Sequence, residues 1–271
     1  MEIASPASTR VGNVMRYRNG VVTPADDDLA AEEPLEIRAR GHAVAVTMRT
    51  PGHDAELAAG FLLGEGVIRT AADVLKIEPC DRNEDGNLLN VLLAPDVYVD
   101  LEKLTRHVFA SSSCGLCGRA TIEAIQRQFK PIDSRLAVTA DALLAMPAAM
   151  RSAQSTFDRT GGLHAAGLFT PAGERVVLRE DVGRHNAVDK VLGHALLNGI
   201  ATNEHVLLVS GRLSFEILQK ALAAGVPIVA AVSAPSSLAV DLARENRQTL
   251  VGFLREGRMN VYAGPERVIF P

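Results

Sequence analysis

The second half of the chain alternates short apolar runs with helical stretches, and few architectures accommodate that pattern. From about residue 135 onward, strand candidates occupy 163–169, 176–178, 206–209, 228–232 and 250–253. Helical periodicity fills 187–197, 215–224 and 238–244 between them. This alternation predicts a three-layer α/β domain over 135–271, built on a largely parallel sheet. The chain has no Trp and only 4% aromatic residues, so the core must be Ala, Val, Leu and Ile. That composition suits helices laid against a buried sheet.

Ahead of this region, residues 35–49 alternate apolar and polar positions on both sides of Gly41-His42, which predicts a hairpin. A helix is expected from about Asp54, with Leu57, Phe61 and Leu62 on one face and Gly64 and Gly66 closing it. A strand ending near Cys80 and another over 87–93 flank the turn signal Asp85-Gly86. Together these predict a smaller α+β domain over 16–134, preceded by a polar, flexible tail over 1–15. The last part of that domain reads as a small-residue loop over 111–118 and a helix carrying Ile122, Ile125 and Phe129.

The loop holds two of the three cysteines, Cys114 and Cys117, as a C-x-x-C; the third is Cys80. An odd, small number is a poor disulfide framework, which points to a reducing cytoplasm. A thiolate on a glycine-flanked loop before a helix N-terminus suits dithiol–disulfide exchange, half of a metal site, or carriage of a persulfide. Structural zinc requires four ligands, and neither a second C-x-x-C nor an H-x-x-x-H is present, so no structural metal is expected. A thioredoxin-like motif would sit early in a βαβ pattern, usually after Trp, and this chain has neither feature. Cys80 reads as a core thiol.

A net charge of -4 argues against nucleic-acid or membrane-surface binding. No stretch approaches the ~20 apolar residues of a spanning helix, and the N-terminus lacks the apolar segment of a secretory signal.

Other motifs are weaker taken singly. FDRTGGLHAAGLF, residues 157–169, reads by default as a turn followed by a strand with a core histidine, His164. In REDVGRHNAVDKVLG, residues 179–193, Asp181 and Gly183 suit a helix cap, yet Arg184, His185 and Asn186 concentrate donors where anions bind. The junctions 209–214 and 232–237 both run from a strand through serines into a helix, the place where open α/β sheets bind ligands. Near the end, Phe253, Leu254, Arg255, Glu256, Gly257 and Arg258 put two arginines around a glycine turn, fit for phosphate or for a solvated hairpin.

Taken together, TPGHDAELAAGFLLGEGVI, SSSCGLCG, FDRTGGLHAAGLF, REDVGRHNAVDKVLG, SGRLSFEILQKALAAGVPIVAAVSAPSSLAV and GFLREGR resemble the formate dehydrogenase accessory sulfurtransferase family, FdhD. The resemblance covers nearly the whole chain from about residue 35. It implies a sulfur carrier that accepts persulfide sulfur from a cysteine desulfurase and passes it to the molybdenum cofactor in its bis-guanine-dinucleotide form, for formate dehydrogenase. On that likeness Cys114 carries the persulfide, Cys117 assists, and Phe253–Arg258 contact the cofactor. It also implies a homodimer and a cytidine-deaminase-like α/β/α domain beside the smaller N-terminal one. Deamination itself is not expected: His164 is followed by Ala165-Ala166 rather than the H-x-E of zinc deaminases, and the C-x-x-C precedes it. A C-x-x-C thiol–disulfide oxidoreductase and a non-covalent cofactor chaperone stand as alternative readings of the same residues.

Overall fold

Asn19 and Gly20 both take positive φ, 51° and 86°, the demand of the tight turn that Asn-Gly favours. Around that turn, β1 (Thr9–Arg18) pairs antiparallel with β2 (Val21–Ala30), from Thr9↔Ala30 to Arg18↔Val21. This ribbon stands where polarity suggested a tail over 1–15. The structure, a computed structural model, describes residues 8–80, 86–100, 125 and 128–271. Cys114 and Cys117 lie outside the described residues, as does most of the helix expected after them. Of that helix, Ile125 is buried, and its carbonyl accepts from Phe129 N at 2.8 Å.

The expected second hairpin is present as β3 (Glu33–Ala39) and β4 (His42–Arg49), with Arg40 and Gly41 at positive φ in its turn. Helix α1 (Asp54–Gly64) follows, then β5 (Val74–Pro79) and β6 (Leu88–Leu93). The four strands form a sheet in the order β4-β3-β6-β5. Arg49, fully buried, anchors this unit to α1 by donating from Nε and Nη2 to the Asp54 carboxylate at 3.0 and 2.9 Å. Cys80 is a half-buried free thiol rather than a core one, because it follows an edge strand.

The second half opens with β7 (Val138–Thr139), α2 (Ala140–Arg151) and α3 (Ser155–Thr160). It continues with β8 (His164–Phe169), β9 (Arg175–Asp181), α4 (Arg184–Leu197) and β10 (Val206–Val209). Next come α5 (Phe215–Ala223), β11 (Ile228–Ala231) and α6 (Ser237–Glu245), then β12 (Thr249–Arg255), β13 (Arg258–Ala263) and β14 (Val268–Ile269). Six of these strands form one sheet in the order β13-β12-β11-β10-β8-β9. Its central trio β10, β11 and β12 is parallel, but β8, β9 and β13 join antiparallel. The sheet is therefore mixed rather than largely parallel. The connections β8–β9 and β12–β13 are hairpin-length turns, and a parallel pair needs a far longer crossover.

Period-2 alternation distributes the central strands between two cores. Leu207, Val209, Val229 and Leu250 share a core with α1, α4, α5 and α6. Val206, Leu208, Ile228 and Val251 pack with α2 residues Leu143, Met146 and Met150. The result is helix, sheet, helix in three layers. The first core also takes in Leu35, Ile37, Leu89 and Val91, so it runs without a break into the four-stranded sheet. Among the described residues, no helix is long and apolar enough to cross a membrane.

The link between the two sheets is the crossing of α1 and α4. A Cβ added to Gly60 would lie 1.9 Å from the Asp189 carbonyl oxygen, and one on Gly193 would lie 1.8 Å from that of Glu56. The helices therefore touch backbone to backbone, which glycine alone permits. Beside the crossing, Lys220 Nζ pairs with the buried Asp189 carboxylate at 2.9 Å; burial pushes that carboxyl up to about 6 despite the lysine. Gly60→Ala should lower the unfolding free energy by about 2 kcal/mol or more, since overpacking against a rigid backbone cannot relax. Urea unfolding followed by circular dichroism measures this, and an unchanged midpoint would refute the backbone contact.

Candidate functional site

Strands β10, β11 and β12 all end at one rim of the sheet, the rim where open α/β folds bind ligands. Because β8 runs antiparallel to β10, its first residue, His164, comes to the same rim. The junction is stitched by Ser210, whose N donates to Ala165 O and whose Oγ accepts from Ala165 N, both at 2.9 Å. A cavity of about 700 Å³ opens there, lined among others by Gly162, His164, Ser210, Val232, Leu254, Arg255 and Glu256. Three motifs distant in sequence thus converge: the Gly-Gly turn with its histidine, the first serine junction, and the arginine-bearing turn near the C-terminus.

The arginine-bearing segment owes its aim to a strained residue. Phe253 has φ of 52°, a conformation that bulky residues seldom adopt, and it sits in the β12–β13 register shift between Gly252 and Arg255. Its N donates to Ser233 O at 3.0 Å, which holds the bulge. Beyond the bulge, Leu254, Arg255 and Glu256 face the cavity, and Arg255 pairs with Arg258 across Gly257, whose φ is 72°. Phe253 therefore shapes the segment, while Gly257 and Arg258 form the exposed turn and are not among the lining residues.

The two serine junctions divide their roles. Ser236 accepts from Ala239 N at 3.2 Å and is spent capping α6. Ser214 precedes α5 and is hydrogen-bonded to His185 Nε2 at 3.1 Å. Of these serines, Ser210 alone lines the cavity.

The segment before α4 is pinned from beneath. Fully buried Asp181 accepts at Oδ1 from Gly183 N at 2.8 Å and Asn186 Nδ2 at 3.0 Å. At Oδ2 it accepts from Thr50 N at 3.1 Å and pairs with Lys190 Nζ at 2.7 Å. The predicted cap at Asp181-Gly183 is thus also a tether to the end of β4. From this turn Arg184 and His185 emerge, and Arg184 Nε is buried without a hydrogen-bond partner. Burial, then the charge of Arg184, lowers the pKa of His164; the same causes take His185 down to about 4. Both imidazoles are therefore neutral at pH 7.

His164 was legible only as a core histidine, yet it is half-buried in a cavity wall. The one signal that could have separated these readings is its place two residues after the Gly161-Gly162 turn. A stability consequence follows from His185. Between about pH 6.5 and 4 the unfolded chain binds a proton there that the native state does not, so stability falls as pH drops through that window. His185→Gln should flatten this loss, as urea midpoints at pH 7 and pH 4.5 will measure; an equally steep loss in both proteins would refute it.

Comparison with known proteins agrees with the segment-by-segment likeness. The model of the FdhD/NarQ family matches residues 30–269. The sulfur carrier protein FdhD of Streptomyces coelicolor is 53% identical over 264 residues, covering 94% of each chain. Its counterpart in Anaeromyxobacter dehalogenans is 46% identical over 278 residues, covering 98% of this chain and 96% of that one. A crystal structure of a formate dehydrogenase accessory protein from Desulfotalea psychrophila superposes with a TM-score of 0.78 at 28% identity, over 97% of this chain and 100% of that one. With the matched segments spanning both sheets and the cavity between β8 and β12, the chain belongs to the FdhD/NarQ family.

Proposed function

We propose that this protein is a cytoplasmic sulfur carrier that bears a persulfide on Cys114 and delivers its sulfur to the molybdenum cofactor, in the bis-guanine-dinucleotide form, for formate dehydrogenase. The observation that carries the proposal is near full-length identity of about half to proteins named sulfur carriers. The structural relative, described as a formate dehydrogenase accessory protein, supports the client. The cavity supports the acceptor: it offers two arginines, Arg151 and Arg255, a serine and two strand-end backbones at the rim that suits nucleotides.

In the loading step, the Cys114 thiolate attacks the outer sulfur of the persulfide on a cysteine desulfurase. The S–S bond of the donor breaks, its cysteine leaves as a thiolate, and Cys114–S–S⁻ forms, so atoms and electrons balance without an external oxidant. Cys117 lies close enough in sequence to relay that sulfur or to release Cys114. The cofactor is cargo, held at the cavity by Leu254, Arg255 and Glu256 while the carrier sulfur reaches it. The same reading makes the protein a homodimer and its three-layer domain cytidine-deaminase-like in fold, without deaminase chemistry.

Two measurements test this. Peptide mass spectrometry after incubation with a cysteine desulfurase and cysteine, without reductant, should find an added sulfur on the Cys114 peptide and none in Cys114→Ala. A Cys114–Cys117 disulfide alone would favour the oxidoreductase, and full function in Cys114→Ala the non-covalent chaperone. Arg255→Ala should weaken guanine-nucleotide binding roughly tenfold, the worth of charge-assisted hydrogen bonds to phosphate. Undiminished affinity in calorimetry would move the cofactor site elsewhere.

A further inference from the structure

The ribbon of β1 and β2 is more exposed than a two-stranded ribbon sustains alone. Each strand has ten residues, about 34 Å of extended chain. Among the described residues, neither of its outer edges pairs with another strand. A lone hairpin is marginal in water and needs a third strand or a packed face. The described contacts with the body lie at the base: Ala31 N donates to Ser8 O at 2.9 Å, Arg10 pairs with Glu33, and Arg159 Nε donates to Asp28 Oδ2 at 3.0 Å. Around the turn, every residue from Tyr17 to Pro24 is exposed.

The register sorts the side chains onto two unlike faces, because cross-strand partners share a face and alternate residues do too. One face carries Val11, Met15 and Tyr17 of β1 opposite Asp28, Pro24 and Val22 of β2. Arg10, Arg16, Arg18 and Asp27 all fall on the other, where Arg16 Nη2 pairs with Asp27 at 3.4 Å. The first face seats on α3 through Asp28 and through Ala30, whose Cβ would be 3.5 Å from one added to Gly162. Beyond α3 it continues as a strip in which Val11, Met15, Tyr17 and Val22 are 56% to 71% exposed. The polar groups of this face are spent on one another and on α3: Asn13 Nδ2 donates to Asp26 Oδ1 at 2.5 Å, and Asp28 is taken by Arg159. A contiguous apolar strip of this kind marks an interaction surface.

We propose that this strip is the contact surface of a homodimer, with the same face of a second copy lying on it about a twofold axis. The chemistry of the strip chooses the partner. With its own charges paired, it offers nothing to a charged protein, whereas an uncharged apolar surface is complementary to itself. A twofold contact between identical surfaces also closes, leaving neither copy exposed. Edge-to-edge pairing is disfavoured, since Pro24 lacks an N–H and consecutive Asp26, Asp27 and Asp28 line β2, while Arg10, Arg16 and Arg18 line β1. Stacking of faces is the arrangement left. The strip starts where the ribbon leaves α3, the helix that gives Phe157 to the cavity wall, so the second copy stands beside the cavity. In naming a homodimer the inference rests on the sulfur-carrier reading; in placing its surface it rests on the ribbon alone.

Sedimentation equilibrium of the full-length protein at micromolar concentration is the test. The wild type should be a dimer. Met15→Glu puts a carboxylate into the strip of each copy and should raise the dimer dissociation constant roughly 100-fold, about tenfold for each charge buried. Tyr17→Glu, on the same strip, should repeat the effect. Val21→Glu, exposed on the opposite face, should leave the constant unchanged. All three positions are exposed, so circular dichroism should show the variants folded like the wild type. A monomeric wild type, undiminished dimers of Met15→Glu and Tyr17→Glu, or equal weakening by Val21→Glu would overturn the interface. Sulfur loading of Cys114, read on the same wild-type preparation, separates the two claims. Loading without a dimer removes the interface and leaves the carrier; a dimer broken by Met15→Glu, with no loading, does the reverse.

Discussion

A carboxylate with no access to water holds this site to the rest of the molecule. Asp181 ends β9, and all of its partners sit elsewhere: two on the turn and helix that follow, one on Thr50 beyond β4, and one on Lys190 a turn deeper in α4. Lys190 is buried as well and also donates to Thr50 O at 2.8 Å, and Val182 N returns to Thr50 Oγ1 at 3.1 Å. Such a pair is a poor source of net stability, because desolvation cancels much of its attraction, but removing one member would strand the other at a cost of about 3–5 kcal/mol. Its effect is therefore geometric. The place where Arg184 and His185 leave the sheet is set jointly by the N-terminal hairpin and the α/β layers.

The glycine crossing of α1 and α4 makes that joint setting rigid. With Gly60 on the Asp189 carbonyl and Gly193 on that of Glu56, the helices cannot slide without a clash. Around the crossing, Arg179 holds the Glu56 carboxylate from Nε and Nη2 at 2.6 and 2.8 Å, and His194 Nδ1 lies 2.8 Å from Glu56 Oε1. Charged groups thus flank a contact that dispersion alone would leave free to rotate. The four-stranded sheet is in this sense part of the scaffold of the cavity, although it contributes no lining residue.

Much of this was legible in the sequence, for reasons that differ by element. The central strands β10, β11 and β12 and the helices α4, α5 and α6 were readable because short apolar runs alternate there with helical stretches, whereas α2, α3 and β13 were not predicted. Strand directions were not readable either. The apolar pattern of β8 and β9 carries no direction, and only the shortness of the turns at 170–174 and 256–257 betrays the antiparallel pairs. The N-terminal ribbon was missed because composition was weighed above turn chemistry: Asn19-Gly20 is a strong hairpin signal, but the polarity and small residues over 1–15 read as a tail. For the site, motif likeness marked Phe253–Arg258 as one segment, whereas the fold separates its parts into a strained bulge, three cavity residues and an outer turn. The meeting of His164 and Arg184 beside Gly211 was beyond sequence reading altogether, since the three positions are distant in the chain.

Two departures from ordinary backbone or packing lie at the same rim, and their positions explain each other. The rim of a parallel trio is a generic place for a ligand, and by itself it selects nothing. Selectivity requires that something at the rim be locally unfavourable without the ligand. Phe253 at positive φ is one such feature, held by the hydrogen bond to Ser233 and by the lack of room at Gly252, where a Cβ would meet Pro235 Cδ at 2.9 Å. Arg184 Nε without an acceptor is the other. Strained backbone clusters at ligand clamps, and a buried donor without an acceptor is rare in folded proteins. One lies at the end of β12 and the other beside Gly211 beyond the end of β10, with β11 between them, so both stand at the carboxyl edge of the parallel trio.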